Sequence, residues 1–107
     1  WDELSINADS YLVIITRGHR FDRICLEKAL ATSASYIGMI GSRSKVDETI
    51  ETLEQKGLGI RNDPRVYSPI GLHLGDKSPE EIAISIMAEI IKVKSGGTGL
   101  HMRERKK

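Results

Sequence analysis

The sequence has 107 residues, of which 39% are hydrophobic and 29% charged, with a formal net charge of +1. This composition is typical of one soluble globular domain, since a disordered chain would be less apolar and a membrane protein less charged. The apolar runs are too short for a transmembrane helix, and no signal peptide is recognisable. The single cysteine, Cys25, excludes an internal disulfide, so we expect a cytoplasmic protein.

The charges are unevenly distributed along the chain. Residues 1–91 hold ten basic and fourteen acidic residues, whereas residues 92–107 hold six basic residues and one acidic one. The mildly acidic main part argues against a nucleic-acid partner. We expect a folded domain over residues 1–94 and a flexible basic tail over residues 95–107. Because the chain opens on Trp1 instead of Met, we also expect a fragment or a processed product.

Short apolar strands and amphipathic helices alternate in the first half of the chain. A continuous β-branched run predicts a buried parallel strand over residues 11–15. Asp22 is a preferred capping residue, and the apolar spacing after it predicts a helix over residues 22–32. The next apolar run predicts a strand over residues 36–40, followed by a helix over residues 43–56.

The second half continues this alternation. An irregular extended segment over residues 66–68 precedes Ser78-Pro79-Glu80-Glu81, a capping box that predicts a helix over residues 79–94. Two adjacent apolar stripes on this helix predict a wide buried face. The β-α-β-α-β-α order predicts a three-layer α/β fold with a parallel sheet, half of a doubly wound fold. We expect strand 11–15 to expose an apolar edge, which would favour a homo-oligomer or association with a missing half.

Ligands of open parallel sheets bind beyond the carboxyl ends of the strands. Two loops that follow strands carry cations, hydroxyls and glycines, and the second of them opens a helix, where backbone N–H groups favour an anion. The alternative interpretation is a glycine turn with a serine cap and exposed charges. The candidate cofactor-binding residues are Arg17, Gly18, His19, Gly41, Ser42, Arg43 and Lys45.

Other polar groups support no further site. Asp22 is close enough in sequence to orient His19. His73 and Asp76 could bind a metal ion, but the sequence places no third ligand at a suitable spacing, so we assign no metal site. The glycines around His73 are interpreted as turning the chain. Cys25 is interpreted as a small buried hydrophobic residue, and we assign no catalytic residue.

Three segments together carry a family resemblance: "VIITRGHRFD", "YIGMIGSRSK" and "SPIGLHLGDKSPEEIAISIMAEII". In combination they resemble the C-terminal Rossmann-like domain of the XdhC/CoxI family, over about residues 11–99. The family comprises accessory factors for xanthine dehydrogenase and related molybdenum hydroxylases. The resemblance implies a non-catalytic protein that binds molybdenum cofactor (molybdopterin) and helps to insert it into such a hydroxylase. The family's cofactor-handling cysteine belongs to an N-terminal domain, so this role does not transfer to Cys25.

Two alternatives stay open. The chain could be a nucleotide-binding half-domain of a nicotinamide-dependent oxidoreductase, although NAD(P) is less expected because the motif GxGxxG is absent. It could also be a purely structural or dimerisation fragment. The phosphate of molybdopterin suits a helix start with Arg43 and Lys45, which favours the accessory-factor interpretation. We expect neither a nucleic acid nor a membrane as partner.

Overall fold

The computed structural model describes residues 5–15, 19–75 and 78–104, with the backbone alone at residues 19 and 20. Within these ranges, strands and α-helices alternate in the order β1 (Tyr11–Ile14), α1 (His19–Leu30), β2 (Tyr36–Met39), α2 (Arg43–Gln55), β3 (Val66–Tyr67) and α3 (Pro79–Ser95). Two short 3₁₀ turns lie at Ile60–Asn62 and Met102–Glu104. Among the helices of these ranges, none combines the length and apolarity needed to cross a bilayer.

The three strands form one parallel sheet in the order β1-β2-β3. Leu12 lies opposite Ile37, and Ile37 in turn lies opposite Val66. This arrangement confirms the predicted α/β fold, since α1 connects β1 to β2 and α2 connects β2 to β3 as crossovers between parallel strands. In the described part of the chain, β1 is an edge strand, as the sequence predicts.

The central strand β2 is buried on both faces, because successive side chains point to opposite sides and all four of its residues are buried. The edge strand β1 is less buried than the sequence predicts, since Val13 is 40% exposed where no further strand lies beside it in the described part of the chain. On one face α1 and α2 cover a core of buried apolar residues: Ile14, Leu26, Ala29, Ala34, Ile37, Met39, Val46, Leu53 and Ile60. On the other face Tyr36, whose side chain is fully buried, reaches Glu89 of α3. The result is the expected three-layer arrangement of helices, sheet and helix.

Two predicted details of the helices are wrong. The first helix begins at His19, so Asp22 lies in its first turn instead of capping it. The predicted wide buried face of α3 is also absent, because Met87 and Ile91 from the second apolar stripe are 55% and 57% exposed. The physical reason is the narrow sheet of three short strands: α3 contacts Tyr36 of β2 and the loop around Gly71 and Leu72 with one side only. The flexibility of residues 95–107 stays a prediction.

The amino ends of β2 and β3 are held by Arg65. Its guanidinium donates to the carbonyls of Leu30, Thr32 and Ala34, at 3.2, 2.7 and 3.1 Å. It also forms a bidentate pair with Asp63, and these hydrogen bonds hold the pKa of that carboxyl below its usual range. A helix has no internal donors for its last carbonyls. Arg65 therefore fastens the end of α1 to the segment that enters β3.

Candidate functional site

The carboxyl ends of the three strands meet at one edge of the sheet. The N–H of Ile40 donates to the carbonyl of Ile14 at 3.1 Å, and the N–H of Ile70 donates to that of Met39 at 3.1 Å. The hydroxyl of Ser68 also donates to the Met39 carbonyl, at 3.3 Å. These bonds continue the strand pairing past the ends of the strands, so the loops after β2 and β3 leave the sheet side by side.

The loop after β2 opens directly into α2. Ser42 caps this helix: its Oγ accepts a hydrogen bond from the N–H of Lys45 at 3.3 Å, and its carbonyl accepts from Val46 at 2.9 Å. The N–H groups of residues 42–44 precede the first intrahelical bond, so the helix supplies them with no acceptor. The side chains of Arg43 and Lys45 are exposed around this helix start. The arrangement can bind an anion through backbone donors, the helix dipole and two cations.

A cleft of about 350 Å³ lies beside the start of α2. Gly41 lines it from the β2 side, the loop of residues 69–75 lines it from the β3 side, and Ile82 and Ser85 contribute from α3. Its walls are mainly apolar, with the imidazole of His73 among them. A ligand with an anionic group and an apolar or ring portion matches this combination of helix start and cleft.

The loop that lines the cleft is linked to the sheet by a buried carboxylate on α3. Oε1 of Glu89 accepts from the hydroxyl of Tyr36 at 2.7 Å and from the N–H of Gly71 at 3.0 Å. The ring of Tyr67 stacks on Tyr36 with centroids 4.9 Å apart. Burial, together with the hydrogen bond to Glu89, raises the pKa of Tyr36 far above its usual range. The phenol therefore stays a donor, and Glu89 joins α3, β2 and the cleft loop.

Two glycines allow the same loop to approach the sheet and α3 closely. A Cβ on Gly38 would lie 2.4 Å from Cδ1 of Ile70. A Cβ on Gly71, where φ is +99°, would lie 2.5 Å from Oγ of Ser85. Gly71 therefore both turns the chain, as the sequence interpretation has it, and makes room for α3.

Glu89 and Gly38 are not among the predicted site residues, although each leaves a signal in the sequence. Glu89 is a carboxylate within an apolar stripe of α3, and Gly38 interrupts a strand that is otherwise apolar. A buried acid needs hydrogen-bond donors, and a glycine in a strand often marks the close approach of another segment. Both signals point to contacts across the sheet, which sequence spacing alone does not identify.

The structure brings together part of the predicted site. Gly41, Ser42, Arg43 and Lys45 form the helix start described above. Arg17 and Gly18 lie outside the described residues, and of His19 only the backbone, at the start of α1, is described. The proximity of the two loops therefore stays a prediction.

Two other predictions concern metals and the cysteine. Asp76 lies outside the described residues, and within the described ranges no group of three or more His, Cys, Asp or Glu side chains is placed to hold a metal ion. Cys25 packs against the apolar core as a small hydrophobic residue would, but it is half-buried and not fully buried as the sequence predicts.

A second depression, of about 400 Å³, lies between α1 and α2. Arg23, Glu48 and Glu51 contribute charges of both signs to its lining. It lies in the helical layer and not at the strand ends, and its carboxylates would repel an anionic ligand. We therefore place the candidate site at the carboxyl edge of the sheet.

Comparisons with known proteins identify the family. The family model of the XdhC Rossmann domain matches residues 2–90. The chain is 34% identical over 98 residues to the protein YqeB of Escherichia coli K12, covering 92% of this chain and 18% of YqeB. It is 30% identical over 82 residues to a Bacillus subtilis 168 protein named as a probable xanthine dehydrogenase subunit, covering 77% of this chain and 23% of that protein.

A solved structure agrees with these sequence matches. A crystal structure described as a xanthine dehydrogenase from Bacillus halodurans superposes with a TM-score of 0.66 at 29% identity, covering 92% of this chain and 27% of that one. The chain thus spans about a fifth to a quarter of the length of the proteins it matches. Since the family model extends over most of the sequence and the fold agrees, the chain belongs to the XdhC Rossmann-domain family.

Proposed function

We propose that this chain is the Rossmann-like part of an accessory protein that serves xanthine dehydrogenase or a related molybdenum hydroxylase. In this role it binds molybdenum cofactor and presents it to the hydroxylase without catalysing a reaction itself. Family membership supports the accessory role, as does the name of the Bacillus subtilis relative. The observation that carries the cofactor proposal is the start of α2, which opens next to the cleft.

The residues present fit the chemistry of a phosphate-bearing pterin. The N–H groups of residues 42–44 and the charges of Arg43 and Lys45 would hold the phosphate. The apolar walls of the cleft suit a ring system, and Glu89 keeps the loop of residues 69–75 in place as one wall. When bound, the cofactor brings the metal-centre chemistry that the hydroxylase uses. The part of this chain is to bind, orient and shield it.

The test measures ligand binding with two matched arginine variants. Arg43→Ala removes a cation at the start of α2, whereas Arg61→Ala removes an exposed arginine that pairs with Glu51 away from the strand ends. Each variant is titrated with a phosphate-bearing pterin and, separately, with NADH. Loss of a hydrogen bond to a charged group weakens binding about tenfold or more, so we expect this for Arg43→Ala with the pterin and no change for Arg61→Ala.

Other outcomes lead to other conclusions. Equal pterin affinity in the parent and in Arg43→Ala would move the cofactor site away from α2. If Arg43→Ala weakens the binding of NADH alone, the nicotinamide-dependent oxidoreductase becomes the better interpretation. The accessory role is tested separately, by adding cofactor-loaded protein to a cofactor-free molybdenum hydroxylase. A gain in hydroxylase activity that free cofactor does not give supports the role, and no gain contradicts it.

A further inference from the structure

Helix α3 carries apolar side chains on the side that faces away from the sheet. Ile84, Met87 and Ile91 are 59%, 55% and 57% exposed, and they follow one another at the 3- and 4-residue spacing of a helix–helix contact. Extending this spacing by one step at each end reaches Glu80 and Lys94, which are both exposed. We call these five residues the outer face of α3.

The outer face points away from the residues that shape the cleft. Ser85 and Glu89, which are buried at 8% and 7% exposure, lie about half a helical turn from Met87 and Ile84. A partner on the outer face would therefore leave the cleft open. Single exposed apolar residues are common on protein surfaces, but three large ones in one continuous stripe indicate a contact surface.

The charges at the two ends of the outer face identify the partner. Glu80 lies in the first turn of α3 and Lys94 in its last turn, with Met87 midway between them. An antiparallel copy of the same helix, related by a two-fold axis at Met87, would place Glu80 beside Lys94 of the second copy at both ends. It would also bring Ile84 within one residue of the level of Ile91 of that copy, about 1.5 Å along the axis, so that the two side chains can pack together. A parallel copy would bring like charges together and is disfavoured.

We propose that α3 pairs antiparallel with α3 of a second copy of this chain through its outer face. The paired segment is about 21 Å long, from the rise of 1.5 Å per residue between Glu80 and Lys94. A contact of this length is small among specific interfaces, so we expect a reversible dimer whose population rises with the concentration of the chain. This proposal is independent of the cofactor site, since no residue of the start of α2 takes part.

The first test changes one methionine inside the outer face and one outside it. Met87→Glu places two carboxylates together at the two-fold axis, and we expect the dimer dissociation constant to rise at least about a hundredfold. Met102→Glu makes the same change at a side chain that is 78% exposed in a 3₁₀ turn, and it should leave dimerisation unchanged. Sedimentation velocity over a concentration series measures association, and circular dichroism verifies that both variants are folded.

The second test checks the antiparallel register by exchanging the end charges. Glu80→Lys or Lys94→Glu alone should weaken the dimer about three- to tenfold, because each creates like-charge neighbours at both ends. The double variant, with both changes, restores the opposite pairs and should return to near the parent affinity.

Three results would overturn the proposal. The first is a parent chain that stays monomeric over the whole concentration range, in which case another segment or protein covers the outer face. The second is a dimer that survives Met87→Glu, which would place the contact elsewhere, for example at the edge of β1. The third is a charge exchange without recovery in the double variant, which would exclude the antiparallel register.

Discussion

Replacing Arg65 with alanine should destabilise the fold more than any change at an exposed charge. The guanidinium makes five hydrogen bonds, three to the carbonyls of Leu30, Thr32 and Ala34 and two to Asp63. Its side chain is 27% exposed, so water can replace only part of this set in the variant. Each lost bond has a net contribution of about 0.5–1.5 kcal/mol, which gives roughly 2–4 kcal/mol for the group after partial rehydration.

This loss is a large share of the stability of a small domain, which is about 5–15 kcal/mol. Urea unfolding followed by circular dichroism should show a midpoint lower by about 1–2 M, for a denaturant slope of about 2 kcal/mol/M. Arg65→Lys should fall between the parent and the alanine variant, because an ammonium keeps the charge but cannot reach three carbonyls and a bidentate carboxylate together.

Arg61→Ala is the matched control for this prediction. Arg61 also pairs with a carboxylate, Glu51, but both side chains are about half exposed, at 48% and 60%. Such pairs contribute about 0–1 kcal/mol. An Arg65→Ala variant no less stable than Arg61→Ala would refute the reasoning, since it would mean that the bonds to the end of α1 add nothing to the free energy of unfolding.

Three further predictions concern Gly38, Asp63 and Tyr36. Gly38→Ala should lower the unfolding free energy by about 1–3 kcal/mol, measured by urea titration, because the new methyl would clash with Ile70. The pKa of Asp63 is lower in the folded state than in the unfolded state. The carboxylate therefore contributes its full share of the unfolding free energy above a pH of about 4, and this share is lost as the pH falls through the pKa of the folded state. Asp63→Asn should make the unfolding free energy depend less on pH in this acidic range. Tyr36 should remain protonated near pH 11 in the folded chain, because its pKa is raised. Tyr36→Phe should therefore leave the amplitude of the ultraviolet phenolate titration up to that pH unchanged, and a reduced amplitude would contradict the prediction. The same variant should lower the unfolding free energy by about 1.5–3 kcal/mol, because the hydrogen bond to Glu89 is lost.

Local sequence patterns predicted the architecture because the strands and helices follow simple periodicities. The apolar run over residues 11–15 and the capping residues Ser42 and Ser78 each specify their element with short-range information. The parallel order follows from the alternation itself. The start of α2 at Ser42 was predictable for the same reason, since a strand, a glycine and a serine cap are adjacent in the chain. Anion binding there stays a proposal.

Contacts between distant segments were not predictable in this way. Glu89 and Gly71 are eighteen residues apart, and Arg65 reaches carbonyls more than thirty residues earlier in the chain. Hydrophobic periodicity predicted a buried face that includes Met87, which is exposed in the structure. The periodicity shows that one side of a helix is apolar, but it does not show whether another element covers that side. The proposed function came from the family resemblance, since no local pattern indicates it.

Arg65 lies at the amino edge of the sheet, whereas the exposed cations Arg43 and Lys45 lie at the opposite, carboxyl edge. The charges of the proposed site are therefore separate from the charges of Arg65 and Asp63, which stabilise the fold. Substitutions at exposed positions of this kind change stability by no more than about 0.5 kcal/mol. Proteins that share this fold can consequently exchange the residues at positions 43 and 45, and so alter the charge of the proposed site, while each intermediate sequence remains folded.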